Sequence, residues 1–337
     1  MEYAIETFNL TKKFVPIRGF NDLLHPFRKR EVTALEHVNL KIRKGELFGI
    51  LGPNGAGKTT LIKMLCTLIL PTFGTALVNG YDIAKEEEKV KASMGLVTGE
   101  ERSFYWRLTG RQNLIFFASL HKFSSSEVQK RVNDVLHFVD LEDKAADKFH
   151  SYSTGMKQRM AIARGLLNEP EILFMDEPTK SLDPGAAQHL REFIKERLVK
   201  DQGKTVFLST HHLGEAEELC DRIALINKGG IKACGTLSEL RGMIEKREKY
   251  IIKVTNFSDS VFAKLHDLEG VITLSTHVQS DVVTLEIQLS DSELVLPQII
   301  DTIVNVGGKI HACHSKEIDI NDLFTQLMND AGGMHAD

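Results

Sequence analysis

"LFGILGPNGAGKT", residues 47–59, decides how the rest of the chain is read. Leu47 to Leu51 form an apolar run suited to a buried strand, and helical spacing resumes from Lys58 to about Thr67. Between them lies the pattern G-x-x-x-x-G-K-[ST], in the strand–turn–helix setting that makes it a phosphate-binding loop. Gly52, Gly55 and Gly57 let backbone N–H groups converge on phosphate oxygens without an obstructing Cβ. Lys58 brings a point charge to the β- and γ-phosphates, and the Thr59 hydroxyl suits Mg²⁺. Pro53, Asn54, Ala56 and Thr60 complete the expected nucleotide-binding loop.

A second element, "ILFMDEP" (172–178), is an apolar strand ending in two acids. Asp176 is placed to hold Mg²⁺, and Glu177 to orient or deprotonate an attacking water. Acids at a strand end are common on their own, but behind a phosphate-binding loop they define a nucleotide-hydrolysing site.

The totals bound the setting. A chain of 337 residues accommodates two domains, at roughly 100–200 residues each. A net charge of −4 carries no basic excess, so no nucleic-acid partner is expected. The scattered cysteines Cys66, Cys220, Cys234 and Cys313 point to a reducing compartment. "MEYAIETFNL" lacks the pattern of a signal peptide, and no window approaches the roughly 18 apolar residues of a membrane span. The best candidate, "LIKMLCTLIL" (61–70), is short and interrupted by Lys63. A cytoplasmic protein is expected, with any membrane partner on another chain.

Residues 1–17 and 31–52 read as strands, separated by an insertion at about 18–30 whose charges suit a solvated hairpin or a membrane-side contact. Val128, Val132, Val135 and Val139 give one helical face; Leu190, Phe193, Ile194, Arg197 and Leu198 give another. "TVFLSTHH" (205–212) is a further strand. Strands alternating with helices predict an α/β fold with a mostly parallel sheet and ligands at the strands' carboxyl ends. Past Leu240 the texture changes. A charged linker leads to strands at 250–255, 271–277, 282–289 and 309–315, with helices at 259–267 and 292–305 and a last helix at 319–328. That order, βαββαβ plus a helix, suits a small ferredoxin-like α/β domain.

"YSTGMKQR" (152–159) supplies the family resemblance. It resembles the signature of ATP-binding cassette (ABC) proteins, in a form similar to that of exporter ATPases for drugs, lipids or polysaccharides. "SLD" (181–183) and "STHHLGEAEELCDR" (209–222) follow in the family's order, so the resemblance covers about residues 1–240. It implies a P-loop NTPase cassette with a β-subdomain, a mostly parallel RecA-like core and a helical subdomain at about 100–165. Residues 241–337 would then form an accessory or regulatory domain. By the same resemblance Ser153 and Gly155 would bind the γ-phosphate of ATP held by an opposite protomer. His211 would contact the γ-phosphate in its own protomer, Asp183 would lie across the dimer interface, and Phe14 in "LTKKF" would stack on adenine. His212 is given no role, since an extended segment would turn it away from His211.

The stretch "GLVTGEERSFYWRLTGRQNL" (95–114) departs from the family pattern. There the corresponding strand ends in Val-Pro-Gln, and the glutamine reaches Mg²⁺ and the attacking water. Counting forward from Val97 puts Gly99 at that position; counting back from "LTGRQNL" puts Glu100 there. Glu100 would offer an oxygen to Mg²⁺ but cannot donate a hydrogen bond when ionised. Phe104, Tyr105 and Trp106, next along, suit either a permease-facing groove or a packed helical core.

The resemblance implies an ATPase subunit of an exporter, binding ATP and Mg²⁺. Its expected partners are an integral membrane permease in a separate chain and a second nucleotide-binding subunit, taken as a second copy. It would sit peripherally on the cytoplasmic face of the cell membrane. A soluble cassette ATPase of translation or DNA repair is the alternative, and a P-loop nucleoside-phosphate kinase fails to explain the signature. "HACH" (311–314) invites a metal reading from His311, Cys313 and His314, but a strand end is favoured because no second ligand cluster accompanies it.

Overall fold

The computed structural model describes residues 2–15, 31–98, 103–242, 248–257, 259–279 and 282–316. Gly99, Glu100, the 18–30 insertion and the expected helix at 319–328 lie outside the described residues. The chain divides into two compact units, Met1–Thr236 and Leu237–Asp337. The division falls four residues before the boundary expected at 240/241, because Leu237 already begins the helix Leu237–Gly242.

In chain order the strands of the first unit are β1 (Tyr3–Phe14), β2 (Val32–Val38), β3 (Lys41–Arg43), β4 (Leu47–Leu51), β5 (Phe73–Val78), β6 (Tyr81–Asp82), β7 (Met94–Thr98), β8 (Ile172–Asp176), β9 (Thr205–Thr210), β10 (Arg222–Asn227) and β11 (Gly230–Gly235). β1 is the hub of an antiparallel sheet, pairing with β2, β3 and β5, while β6 extends β5. The second sheet runs β11-β10-β4-β9-β8-β7, parallel throughout except for β11. Its central strands are buried on both faces, which is why β4, β8 and β9 read as apolar runs without alternation. The helix Lys58–Leu65 sends Leu61, Ile62, Met64 and Leu65 into one core with Phe48, Ile50, Phe174 and Phe207.

The helices Gly110–Ala118, Ser125–Phe138 and Thr154–Leu166 form the helical part of this unit. Thr109 with Gln112 and Ser124 with Glu127 close capping boxes that fix the first two starts. Val128, Val132, Val135 and Val139 are buried, as their spacing predicts. Leu190, Phe193, Ile194 and Leu198 are buried too. The segment is not one α-helix, however. The α-helix Pro184–Glu192 passes into a π-helix over Phe193–Asp201, and Arg197 lies over the rings of Phe138 and Phe193.

In the second unit, β12 (Glu248–Thr255), β13 (Val271–Gln279), β14 (Val282–Leu289) and β15 (Lys309–Lys316) form an antiparallel sheet in the order β13-β14-β12-β15. The helices Asp259–His266 and Ser292–Asn305 contribute Val261, Leu265, Ile299 and Ile303 to a core with Ile252, Val254, Leu285 and Ile287. This is the βαββαβ arrangement that the sequence predicts. His311 lies on β15 with Nε2 2.9 Å from Thr255 Oγ1. Among the described residues no group of three His, Cys, Asp or Glu side chains is placed to hold a metal ion.

Candidate nucleotide site

Three neighbouring parallel strands deliver the site. Leu51 at the end of β4 pairs with Thr210 at the end of β9, and Asp176 at the end of β8 pairs with Ser209. The phosphate-binding loop, Glu177 and His211 therefore leave the sheet at the same edge, although the sequence spaces them widely.

The loop is built by close approach. A Cβ on Gly52 would meet the Ile226 carbonyl oxygen at 2.3 Å. Gly57 has φ +111°, and a Cβ there would meet the Ala34 oxygen at 2.6 Å. Lys58 is buried, and its Nζ donates to the carbonyl oxygens of Gly52 at 2.7 Å and Pro53 at 3.1 Å. Burial pulls the Lys58 pKa below its ordinary value, against the opposing pull of the Glu177 and Asp176 carboxylates.

Thr59 Oγ1 donates to Asp176 Oδ2 at 2.9 Å, and Ser209 Oγ donates to Asp176 Oδ1. A hydroxyl and a carboxylate brought together in this way are the hard oxygen donors that Mg²⁺ prefers. Glu177 comes next in a left-handed conformation, φ +49°, with its N–H donating to the Ser209 carbonyl. Such a conformation costs on the order of 1–3 kcal/mol in a non-glycine residue and tends to mark working positions. His211 Nδ1 lies 2.8 Å from Glu177 Oε1, and Lys180 Nζ lies 2.8 Å from Oε2. Burial pushes the Glu177 carboxyl up, but the hydrogen bonds from Lys180 and His211 together outweigh it and hold it below the usual range. Nearby, the buried Glu215 accepts from Thr179 Oγ1 at 2.7 Å and from Thr210 Oγ1 at 2.5 Å. It ties the turn after Glu177 to the end of β9.

Asn54, Gly55, Gly57, Lys58, Thr59, Thr60, Asp176 and Glu177 line one cavity of 860 Å³, together with Lys63, Gln158 and Lys180. The helix Thr154–Leu166 forms another part of its wall through Thr154, Lys157 and Ala161. Ser153 caps that helix, its hydroxyl accepting from the Met156 N–H at 3.3 Å. Asp183 caps the helix Pro184–Glu192, accepting from the Ala186 N–H at 2.9 Å. Phe14 ends β1, exposed, with the Lys12 ammonium 5.0 Å from its ring centre. It is not among the residues lining the cavity. The expectation that His212 turns away from His211 fails. The strand ends at Thr210, so side chains no longer alternate, and the two imidazoles stand 3.9 Å apart between centres.

The aromatic stretch splits. Phe104 is buried, stacked on Phe149 at 4.6 Å and edge-on to Phe117. Tyr105 and Trp106 are exposed, with Phe116 edge-on to Tyr105. Sequence reasoning passed over the residue that anchors the Tyr105 backbone. Asn113, fully buried, accepts from the Tyr105 N–H at 2.8 Å and donates to the Tyr105 and Thr109 carbonyls at 3.0 Å. Lys180 and Glu215 were also missed. The spacing of Lys180, three residues after Glu177, is the only signal the sequence offers for it.

A phosphate-binding loop, paired acids and a histidine at adjacent strand ends, with a capped helix beside them, define a nucleotide-hydrolysing cassette. The "ABC transporter" family model matches residues 35–180. The linearmycin resistance ATP-binding protein LnrL of Bacillus subtilis is 35% identical over 75% of this chain and 84% of its own length. The doxorubicin resistance ATP-binding protein DrrA of Mycobacterium tuberculosis is 39% identical over 66% of each chain. The ATP-binding cassette MJ0796, solved as a dimer in a post-hydrolysis state bound to ADP and Pi, superposes with a TM-score of 0.58 at 26% identity. That likeness covers 69% of this chain and 98% of MJ0796. The chain belongs to the family of ABC transporter ATP-binding proteins. It is an ATP-binding, ATP-hydrolysing subunit of the exporter class, and the soluble translation or DNA-repair reading finds no support. Among the described residues no helix is long and apolar enough to cross a membrane.

Proposed function

We propose that two copies of this chain sandwich two ATP molecules, each between the phosphate-binding loop of one copy and Ser153–Gly155 of the other. Lys58 neutralises the β- and γ-phosphates, and the backbone N–H groups of the loop orient them. Thr59 and Asp176 would hold Mg²⁺, which supplies charge compensation on the phosphate oxygens. Glu177 takes the proton of the attacking water, His211 fixes the carboxylate and faces the γ-phosphate, and Asp183 lies at the interface between copies. Phe14 is assigned to adenine. The observation that carries this reading is the convergence of Lys58, the Thr59–Asp176 pair and the Glu177–His211 pair at one sheet edge.

The partner is a membrane permease in a separate chain, which holds this subunit on the cytoplasmic face. The exposed Tyr105, Trp106 and Phe116 offer it an aromatic surface of the kind that interfaces favour. The resistance named for LnrL and DrrA supports a drug as cargo. The second unit, Leu237–Asp337, serves as an accessory domain supporting or regulating the dimer. The deciding experiment is Glu177→Gln in the purified complex. Turnover should vanish while an ATP-bound dimer accumulates; undiminished hydrolysis would place the base elsewhere.

A further inference from the structure

Lys180 has no part in the assignments above, yet its ammonium is 2.8 Å from the carboxylate proposed as the base. The turn fixes that proximity, since the Lys180 N–H donates to the Glu177 carbonyl at 3.1 Å and places the two side chains on one side. With His211 on Oε1 and Lys180 on Oε2, both carboxylate oxygens are engaged. Lys180 also lines the cavity that holds Lys58, Thr59 and Asp176. Its side chain is 62% exposed, whereas that of Glu177 is 15% exposed. The ammonium therefore rides on a flexible stem with room to swing, while its partner is fixed.

The terminal phosphate of ATP carries more negative charge than a carboxylate and presents three acceptor oxygens. An ammonium within reach of both is drawn to the phosphate. ADP offers no such group at that place. We propose that Lys180 is a specificity-determining residue that reads the γ-phosphate. Its ammonium passes from Glu177 Oε2 to the terminal phosphate of ATP, freeing that oxygen to accept the proton of the attacking water. The exchange rests on the nucleotide reading of the site. It adds a route by which arrival of the correct nucleotide releases the base.

The bland alternative is an exposed ion pair three residues apart, which contributes little to anything. Titrating the full-length chain by calorimetry with ADP and with the non-hydrolysable β,γ-imido analogue of ATP separates the two. Lys180→Met keeps the stem and removes the charge; Lys180→Arg keeps the charge. The expected result is a loss of about 10-fold in affinity for the analogue in Lys180→Met, the scale of one charge-assisted hydrogen bond. ADP affinity should stay within about 2-fold, and Lys180→Arg should recover most of the loss. Equal weakening of both nucleotides, or no change in either, overturns the proposal and leaves the nucleotide site standing. Failure of the unmodified chain to bind ADP overturns both.

Discussion

His211 Nδ1 stands 2.8 Å from Glu177 Oε1 although 34 residues separate them in the chain. The pairing is a product of sheet order. β8 and β9 are parallel neighbours with Asp176 opposite Ser209, so the residues just past the two strand ends emerge side by side. An ionised carboxylate only accepts, so the imidazole donates and fixes the rotamer of the base. His211→Ala should therefore lower kcat by roughly 10²–10⁴-fold, the usual scale of acid–base assistance, while ADP still binds. Steady-state hydrolysis and equilibrium ADP binding on the same preparation check this; unchanged kcat would show that Glu177 needs no such partner.

Glu215 acts on the same pair from behind. It is buried and satisfied by two hydroxyls, one on each segment that carries a member of the pair. Glu215→Ala leaves Thr179 and Thr210 without their acceptor and should cost about 1–3 kcal/mol of stability. Denaturant unfolding measures the loss. A parallel fall in kcat would reflect misplacement of Glu177 and His211.

Tyr152 gives a pH-dependent prediction. Its buried hydroxyl donates to the Lys144 carbonyl at 2.6 Å, and burial, with the Asp147 charge adding to it, pushes its pKa from 10.0 up to about 12. The neutral phenol is the form that the fold favours. The stabilisation is fully present below the unfolded value and is lost as pH rises through the folded one. Stability should fall between about pH 10 and 12, and Tyr152→Phe should flatten that portion of the curve at a cost of about 1 kcal/mol near neutrality. Thermal unfolding of both proteins across that range decides it.

The same tyrosine constrains Gly110, where an added Cβ would lie 2.1 Å from the Tyr152 hydroxyl oxygen. Gly110→Ala should destabilise by about 1–3 kcal/mol through overpacking. The double variant with Tyr152→Phe should recover part of the loss, because the clash is largely with that oxygen. Additive losses would refute the contact as the cause.

Trp106→Ala should leave ATP binding intact and abolish stimulation of hydrolysis by the permease, since the indole is exposed and is not among the residues lining the nucleotide cavity. It touches that lining through Lys157, whose ammonium lies 4.9 Å from the ring centre. Asn113→Ala should produce the same uncoupling together with lost stability, because the Tyr105 backbone then loses both bonds to the amide. Transport and permease-stimulated ATPase assays in vesicles measure both effects. Unchanged stimulation in Trp106→Ala would remove this surface from the coupling path.

By itself the sequence determined the elements and their chemistry. A glycine loop after a buried run, two acids closing an apolar strand and a signature before a helix are local patterns, written in neighbouring residues. The second unit was legible for the same reason: its strands alternate and its helices keep one apolar face. Only the tertiary structure decided which of these residues meet. Strand order set Glu177 beside His211, and the end of the strand at Thr210 brought His212 against its neighbour. The triple "FYW" looked uniform in sequence, yet Phe104 entered the core while the Asn113 amide tied the Tyr105 backbone and left Tyr105 and Trp106 exposed. Lys180 gained its importance in the same way. A lysine in a turn is ordinary until the left-handed Glu177 before it brings a carboxylate within 2.8 Å.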